Sequence, residues 1–320
     1  MSKIGAILNL ARIRQPAGTA LLFLPGAISM TMAACSLPIS IPVLAKTTTL
    51  FAAGSVVMRG AGCTINDLWD RRIDAKVERT KNRPLAAKLV TPKEAIAFLA
   101  FQLSIGLAVL IQFNLYTIAL GALSLIPVTI YPLMKRITNW PQAFLGLTFN
   151  WGALVGWSAV AGVCNWSVVL PLYLSHIFWT LFYDSIYALQ DRKCDAKIGV
   201  KSSALSIQGN TKGYLSFFAV SQIGFLALAG FINGQSLPFY LVSVLGSSLH
   251  LMWQVRSLDE FSPADAGKKF KSNMYTGLIV LLGVWLDLIF KRQTKQKRDQ
   301  LERRAKQKRD QLEEKVEPVE

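Results

Sequence analysis

Residues 43–74 read VLAKTTTLFAAGSVVMRGAGCTINDLWDRRID, an apolar run that ends in a cluster of acids. The run 43–63 has the length an α-helix needs to cross a hydrocarbon core, about 20 residues at ~1.5 Å each. The acids that follow, Asp67, Asp70 and Asp74, stand at i, i+3 and i+7, which puts them along one helix face. A membrane-crossing helix that closes on three carboxylates sets the frame for the rest of the chain.

Working outward, similar apolar runs recur, and nine candidate spans lie near 17–36, 43–63, 94–113, 115–134, 142–162, 166–189, 213–233, 236–255 and 273–290. Apolar residues make up 52% of the chain and charged residues 17%, well below the quarter usual for a soluble domain. Most of the surface therefore does not face water, and the expected class is an all-α polytopic membrane protein. The net charge of +16 does not point to nucleic acid, because the basic residues sit in the gaps between apolar runs and leave no soluble domain to present a binding face. Attraction to anionic membrane lipid and to a diphosphate accounts for it.

The gaps also set the orientation. Residues 67–94, 134–140, 191–203 and 255–271 are rich in Lys and Arg, whereas the alternate connections hold only Lys46 or no basic residue. The positive-inside rule places the four basic loops on the cytoplasm-like side, which in a mitochondrion is the matrix. Residues 1–290 read as one intramembrane domain. Residues 291–320 read as a basic, polar, helical tail in which KQKRDQLE occurs at 295–302 and again at 306–313. That offset of eleven nearly completes three helical turns. Nine spans put this basic tail on the face opposite the basic loops, against the pattern.

A second acidic motif, Asp184-x-x-Tyr187-Ala188-x-x-Asp191-x-x-x-Asp195, closes the sixth span. Its offsets of seven and eleven predict that the three acids share one helix face. Both motifs fall on the same side of the membrane. Six crowded carboxylates need a counter-charge, and hard divalent cations with oxygen ligands supply it. Mg²⁺ takes one or two carboxylates and completes its shell with water and substrate phosphates. Two facing clusters thus suggest metal ions bridging a diphosphate. The competing reading is solvated loop acids paired with Arg71, Arg72, Lys76 and Arg192.

Basic residues crowd the same loops: Arg79, Lys81 and Arg83 after motif one, and Lys193 and Lys201 around motif two. Each suits either a leaving diphosphate or positive-inside topology. Lys135 and Arg136, which close the fourth span, and Arg12, before the first, face the same choice between a substrate anion and an anchor. Tyr131, Asn150, Trp151, Trp157, Tyr183 and Tyr187 are candidates to line a cavity and shield a carbocation. Tyr187, inside motif two, is the strongest of these; most of the others read rather as an interfacial belt. His176 and His250 read as packing residues, and Cys35, Cys63, Cys164 and Cys194, with no CxxC pair, as core residues.

AGCTINDLWDRRIDAKVERTKNRPLA (61–86) and DSIYALQDRKCDAKIGVKSSAL (184–205) resemble the two signatures of UbiA-type intramembrane prenyltransferases. YPLMKRITNWPQ, GLTFNWGALVGWSAV, KKFKSN and ARIRQPAGT are similar to segments of one branch, the 4-hydroxybenzoate polyprenyltransferases of ubiquinone synthesis. The resemblance runs from about residue 10 to 290 and omits the tail. Arg72, Lys193-Cys194, Arg14-Gln15 and Ser206 depart from it. It implies nine helices around a central cavity with a side opening for a lipid tail. It also implies that Asn66, Asp67, Asp70, Asp74, Asp184, Asp191 and Asp195 bind Mg²⁺ and diphosphate. Lys135 and Arg136 match a basic pair proposed to contact diphosphate or the acceptor's carboxylate. The implied partners are polyprenyl diphosphate, an aromatic acid, membrane lipid and other quinone-biosynthesis enzymes. The implied place is the mitochondrial inner membrane, or a bacterial inner membrane. Other readings are transfer to homogentisate or a specialised-metabolism phenol, an intramembrane cation transporter, and a non-catalytic lipid-binding scaffold.

Overall fold

A computed structural model describes residues 3–198 and 202–314, and no strand occurs among them. Helix α1 (Lys3–Leu10) is short, and α2 (Pro16–Ser36) and α3 (Ile41–Asp74) form the first pair of spans. Next come α4 (Pro92–Leu110), α5 (Leu115–Leu123) and α6 (Leu125–Ile137), α7 (Pro141–Phe149) and α8 (Gly152–Ala161), then α9 (Trp166–Ala188). Two short helices, α10 (Arg192–Ile198) and α11 (Ser203–Ser206), precede α12 (Thr211–Ile232). A π-helix (Phe239–Gly246), α13 (Ser247–Ser257) and α14 (Pro263–Glu314) complete the order.

Local chemistry sets where the spans begin. Proline stands in the first turn of α2, α3, α4 and α7, where its missing N–H costs nothing. Asn114 accepts from the Thr117 amide to start α5, and Thr91 and Glu94 form a reciprocal capping box at the head of α4. Helix α3 has 34 residues, about 51 Å of rise against a hydrocarbon core of ~30 Å. Its last turns therefore stand clear of the apolar layer, which is why they can carry carboxylates.

Helices α2 and α9 form the centre. Leu24, Ile28, Trp157, Trp179 and Phe182 are buried around them. Gly26 and Gly156 let α2 and α8 approach so closely that a Cβ on Gly156 would strike the Gly26 carbonyl. Helices α4 to α6 lie at the periphery and turn Ile96, Phe101, Leu115 and Ile126 outward. Such a broad exposed apolar band faces lipid.

Eight spans among the described residues are long and apolar enough to cross a membrane, two of them made by the pairs α5–α6 and α7–α8. The expected eighth of nine spans, 236–255, is instead a π-helix running into α13, so no single helix there reaches spanning length. The Ser243 hydroxyl donates to the Val280 carbonyl, and Gly283 has no Cβ to strike Ser243; this close contact with α14 coincides with the widened turn. Helix α14 continues unbroken for 52 residues. Lys291 meets the Gln235 side chain at 3.3 Å, and Arg292 donates to the Ile39 carbonyl. Both partners lie at the helix ends remote from the acidic motifs, so the tail leaves by the opposite face.

Candidate active site

The two acidic motifs border one cavity of about 1380 Å³. Along α3, Arg59, Cys63, Asn66, Asp70 and Asp74 face it at near-helical spacing. Asp67 falls off that stripe and is not among the residues that line the cavity. It is buried at 1% exposure, and two cations hold it there. Arg12 donates to its Oδ1 at 2.6 Å and Arg83 at 3.2 Å, and Arg83 also reaches Asp74 Oδ2 at 2.7 Å. Arg12 comes from the turn after α1 and adopts φ 53°, a left-handed conformation that non-glycine residues rarely take. Helix α1 aims it, seating Ala6 and Leu10 against Leu85, Val90 and Ala95. Burial opposes the Arg12 charge, but Cys63, Asp67, Tyr187 and Asp74 outweigh it and raise its pKa.

Residues 75–91 cover the cavity as a series of turns, pinned where the Thr80 hydroxyl donates to the Asp74 carbonyl at 3.0 Å. From this cap Arg79 crosses to motif two. Its Nε meets both Asp191 oxygens at 2.9 and 3.1 Å, a second nitrogen also reaches Asp191, and a third donates to the Tyr187 hydroxyl at 2.6 Å. The guanidinium lies 4.9 Å from the Tyr187 ring centroid. Burial works against the Arg79 charge; the hydrogen bond to Asp191 and the nearby Tyr187 more than compensate, and its pKa rises. This cross-link is charge-assisted and bidentate, and it ties the two motifs into one structure.

Motif two is not one helical face. Helix α9 stops at Ala188, Asp191 sits in a turn, and Asp195 lies on α10. The Asp191 carbonyl accepts the amides of Cys194 and Asp195 at 2.8 and 2.9 Å, which starts α10 in a new direction. Asp184, Asp191 and Asp195 all still line the cavity. The rival partners among the basic residues turn elsewhere: Arg71 donates to the Leu68 carbonyl, and Arg192 pairs with Glu260.

The other expected residues divide. Tyr131, Trp151, Tyr183 and Tyr187 line the cavity with Arg12, Arg79 and Arg83. Trp157 belongs to the core. Asn150 is fully buried and not among the cavity-lining residues, and its amide nitrogen bonds to the Gly146 and His176 carbonyls and to Thr180. Lys135 and Arg136 end α6 and Lys193 sits on α10, but their side chains, and Lys201 entirely, lie outside the described residues. His176 packs against Trp179 and His250 bonds to Thr276, in keeping with packing roles.

Sequence reasoning missed Arg59, Lys268 and Lys271. Arg59 stands within an apolar span, where an ionised side chain is costly, and that cost was the available signal. Its guanidinium lies 5.4 Å from the Phe149 ring centroid, and its buried Nε has no hydrogen-bond partner. Away from the acids the walls turn apolar, through Leu103, Leu107, Leu110, Phe113, Leu125 and Val128. The cavity is thus anion-binding at one end and oily at the other.

Among the described residues no three acidic, His or Cys side chains converge into a closed metal cage. Mg²⁺ draws carboxylates from a protein and fills the rest of its shell with water and substrate phosphates. Asn66 adds a buried Oδ1 without a hydrogen-bond partner, a hard donor suited to such an ion.

The UbiA prenyltransferase family matches residues 22–279. The chain is 50% identical over 296 residues to a mitochondrial 4-hydroxybenzoate polyprenyltransferase of Bos taurus, covering 92% of this chain and 79% of that one. It is 51% identical over 283 residues to the Arabidopsis thaliana protein of the same name, covering 88% and 69%. Among solved structures, an apo UbiA homolog from Aeropyrum pernix K1 superposes with TM-score 0.71 at 22% identity, covering 84% of this chain and 98% of that one. A UbiA homolog from Archaeoglobus fulgidus bound to GPP and Mg²⁺ gives 0.67 at 15%, covering 88% and 99%. At those identities the structural likeness speaks for the fold.

Proposed function

The chain belongs to the UbiA prenyltransferase family, and from that premise we propose that it transfers a polyprenyl group from polyprenyl diphosphate to the ring of 4-hydroxybenzoate, with Mg²⁺. The observation that carries the proposal is the Arg79 bridge to Asp191 and Tyr187. It places both acidic motifs on one chamber with an apolar far end, the shape a prenyl diphosphate requires. All the acids gather at one end, which disfavours a transport path through the midplane.

Asn66, Asp70, Asp74, Asp184, Asp191 and Asp195 would hold Mg²⁺ and, through it, the diphosphate. Bound there, the metal would supply charge stabilisation and templating as the allylic C–O bond breaks. Asp67 acts from behind, holding Arg12 and Arg83 in place. Arg79 and Arg83 stand ready to donate to the departing diphosphate, where charge grows. Arg59, with no acidic partner among the described residues and facing the cavity, takes the acceptor's carboxylate; its planar fork matches that group. Lys135 and Arg136 remain proposed contacts for diphosphate or acceptor. The ring carbon ortho to the phenol hydroxyl then attacks the allylic cation, a proton leaves and aromaticity returns. Tyr131, Trp151, Tyr183 and Tyr187 shield the cation, and the apolar walls exclude water that would quench it.

The names of the relatives support a mitochondrial membrane as its location, and the asymmetry of the basic loops supports an orientation with the site on the matrix side of the inner membrane. The test is incubation of purified protein with radiolabelled 4-hydroxybenzoate, a series of prenyl diphosphates and Mg²⁺, with homogentisate as competitor. Labelled prenylated product that disappears with chelator and returns with Mg²⁺ is expected. Product formation unaffected by chelator, or formed only from homogentisate, would overturn the assignment.

A further inference from the structure

We propose that Lys268 and Lys271, on the first turns of α14, form the aqueous-side capture point for the acceptor's carboxylate. This rests on the prenyl-transfer reading above and adds a second anion site to the one that holds diphosphate.

Both lysines line the cavity and both are exposed. They stand three residues apart on one helix face, in line with Tyr275 one turn further on. Neither makes a hydrogen bond or an ion pair among the described residues. Their neighbour Lys269 behaves differently. It is buried, pairs with Asp265 at 3.7 Å and places its Nζ 4.1 Å from the Trp253 ring centroid. Topology alone would be served by any lysine in this loop, yet two of the three turn into the chamber and stay unpaired. The arginines near the diphosphate end, Arg12, Arg79 and Arg83, are all engaged with carboxylates.

The lysine pair is anchored beside motif two. Phe270, between them, lies 4.7 Å from Tyr187, ring centroid to centroid. A Cβ on Gly267 would come within 3.1 Å of the Gln190 side-chain oxygen, so α14 packs closely against the end of α9. The two substrates differ in how they arrive. The donor carries a lipid tail suited to the apolar end. The acceptor is a small, water-soluble anion and enters through the polar mouth, where unpaired cations raise its local concentration. A flexible ammonium, which binds as a point charge, suits capture and release better than a guanidinium fork. Arg59, deeper in the cavity, then receives the carboxylate.

The experiment compares wild type with Lys268→Gln/Lys271→Gln, using full-length protein and farnesyl diphosphate. Acceptors are 4-hydroxybenzoate and its neutral analogue 4-hydroxybenzamide. The expected result is an increase in KM for the acid, with kcat/KM down about tenfold at low salt. The donor KM and the amide kinetics stay at wild-type values, and the double Lys→Arg variant, which keeps the charge, recovers only part of the loss with the acid. The difference should close as ionic strength approaches about 1 M, where charges are screened within ~3 Å. Unchanged kinetics with the acid, equal losses with acid and amide, or a raised donor KM would each overturn the proposal. Should the double variant fold poorly, Lys271→Gln alone carries the same acid-against-amide comparison. Wild-type protein that transfers no prenyl group to any acceptor would overturn the underlying reading instead.

Discussion

The two acidic motifs look alike in sequence and are built differently. Motif one rides the end of an unbroken helix, and its Asp67 and Asp74 side chains are only 2% and 9% exposed, with Arg12 and Arg83 closing over them. Motif two is split across a turn between α9 and α10, and the Arg79 salt bridge that reaches it comes from the cap of motif one. The first half is therefore rigid and neutralised in advance. The second takes its shape partly from the first. A charge cluster held by helix geometry tolerates burial because its counter-charges are built in; one that a distant loop bridges takes part of its shape from that loop.

Substitutions should separate the two halves. The largest expected effect is on turnover: Asp191→Ala and Asp70→Ala should each lower kcat by about a hundredfold or more, with normal membrane insertion by fractionation. Asp67→Ala should also lose activity, but through misplaced arginines, and should lower the melting temperature where Asp191→Ala does not. Equal melting temperatures for the two variants would erase the distinction drawn here. Next, Arg79→Ala should weaken donor binding and loosen the cap, read as faster proteolysis within residues 75–91. Arg79→Lys should recover only part of this, since an ammonium lacks the fork that meets both Asp191 oxygens. A smaller effect is expected at Arg12. Because Arg83 still pairs with Asp67, Arg12→Ala should cost about 1–2 kcal/mol in denaturant titration, less than the 3–5 typical of a fully broken buried pair. The smallest effect concerns the tail: deletion of residues 295–320 should leave turnover unchanged, because the helix leaves by the face remote from the cavity. A large loss on that deletion would contradict this placement of the tail.

From the sequence alone came the membrane class, most of the spans, and two acidic motifs, five of whose six aspartates line one cavity. These rest on local rules: the length of apolar runs, the asymmetry of Lys and Arg, and residue spacing along a helix. The exceptions occurred where a residue's role depends on what it meets. Spacing made Asp67 and Asp70 equivalent, yet one is enclosed by Arg12 and Arg83 while the other faces the chamber. Periodicity carried motif two along one helix that in fact ends at Ala188. Apolarity did not reveal the π-helical stretch Phe239–Gly246 that runs into α13, and the Asn150 amide bonds the His176 carbonyl. Arg59 and the unpaired lysines of α14 were likewise visible as letters, but not as partners of the same cavity. Local pattern determines which segments form and which side they reach; which charge neutralises which, and which is left for a substrate, is decided only when helices distant in sequence are packed together.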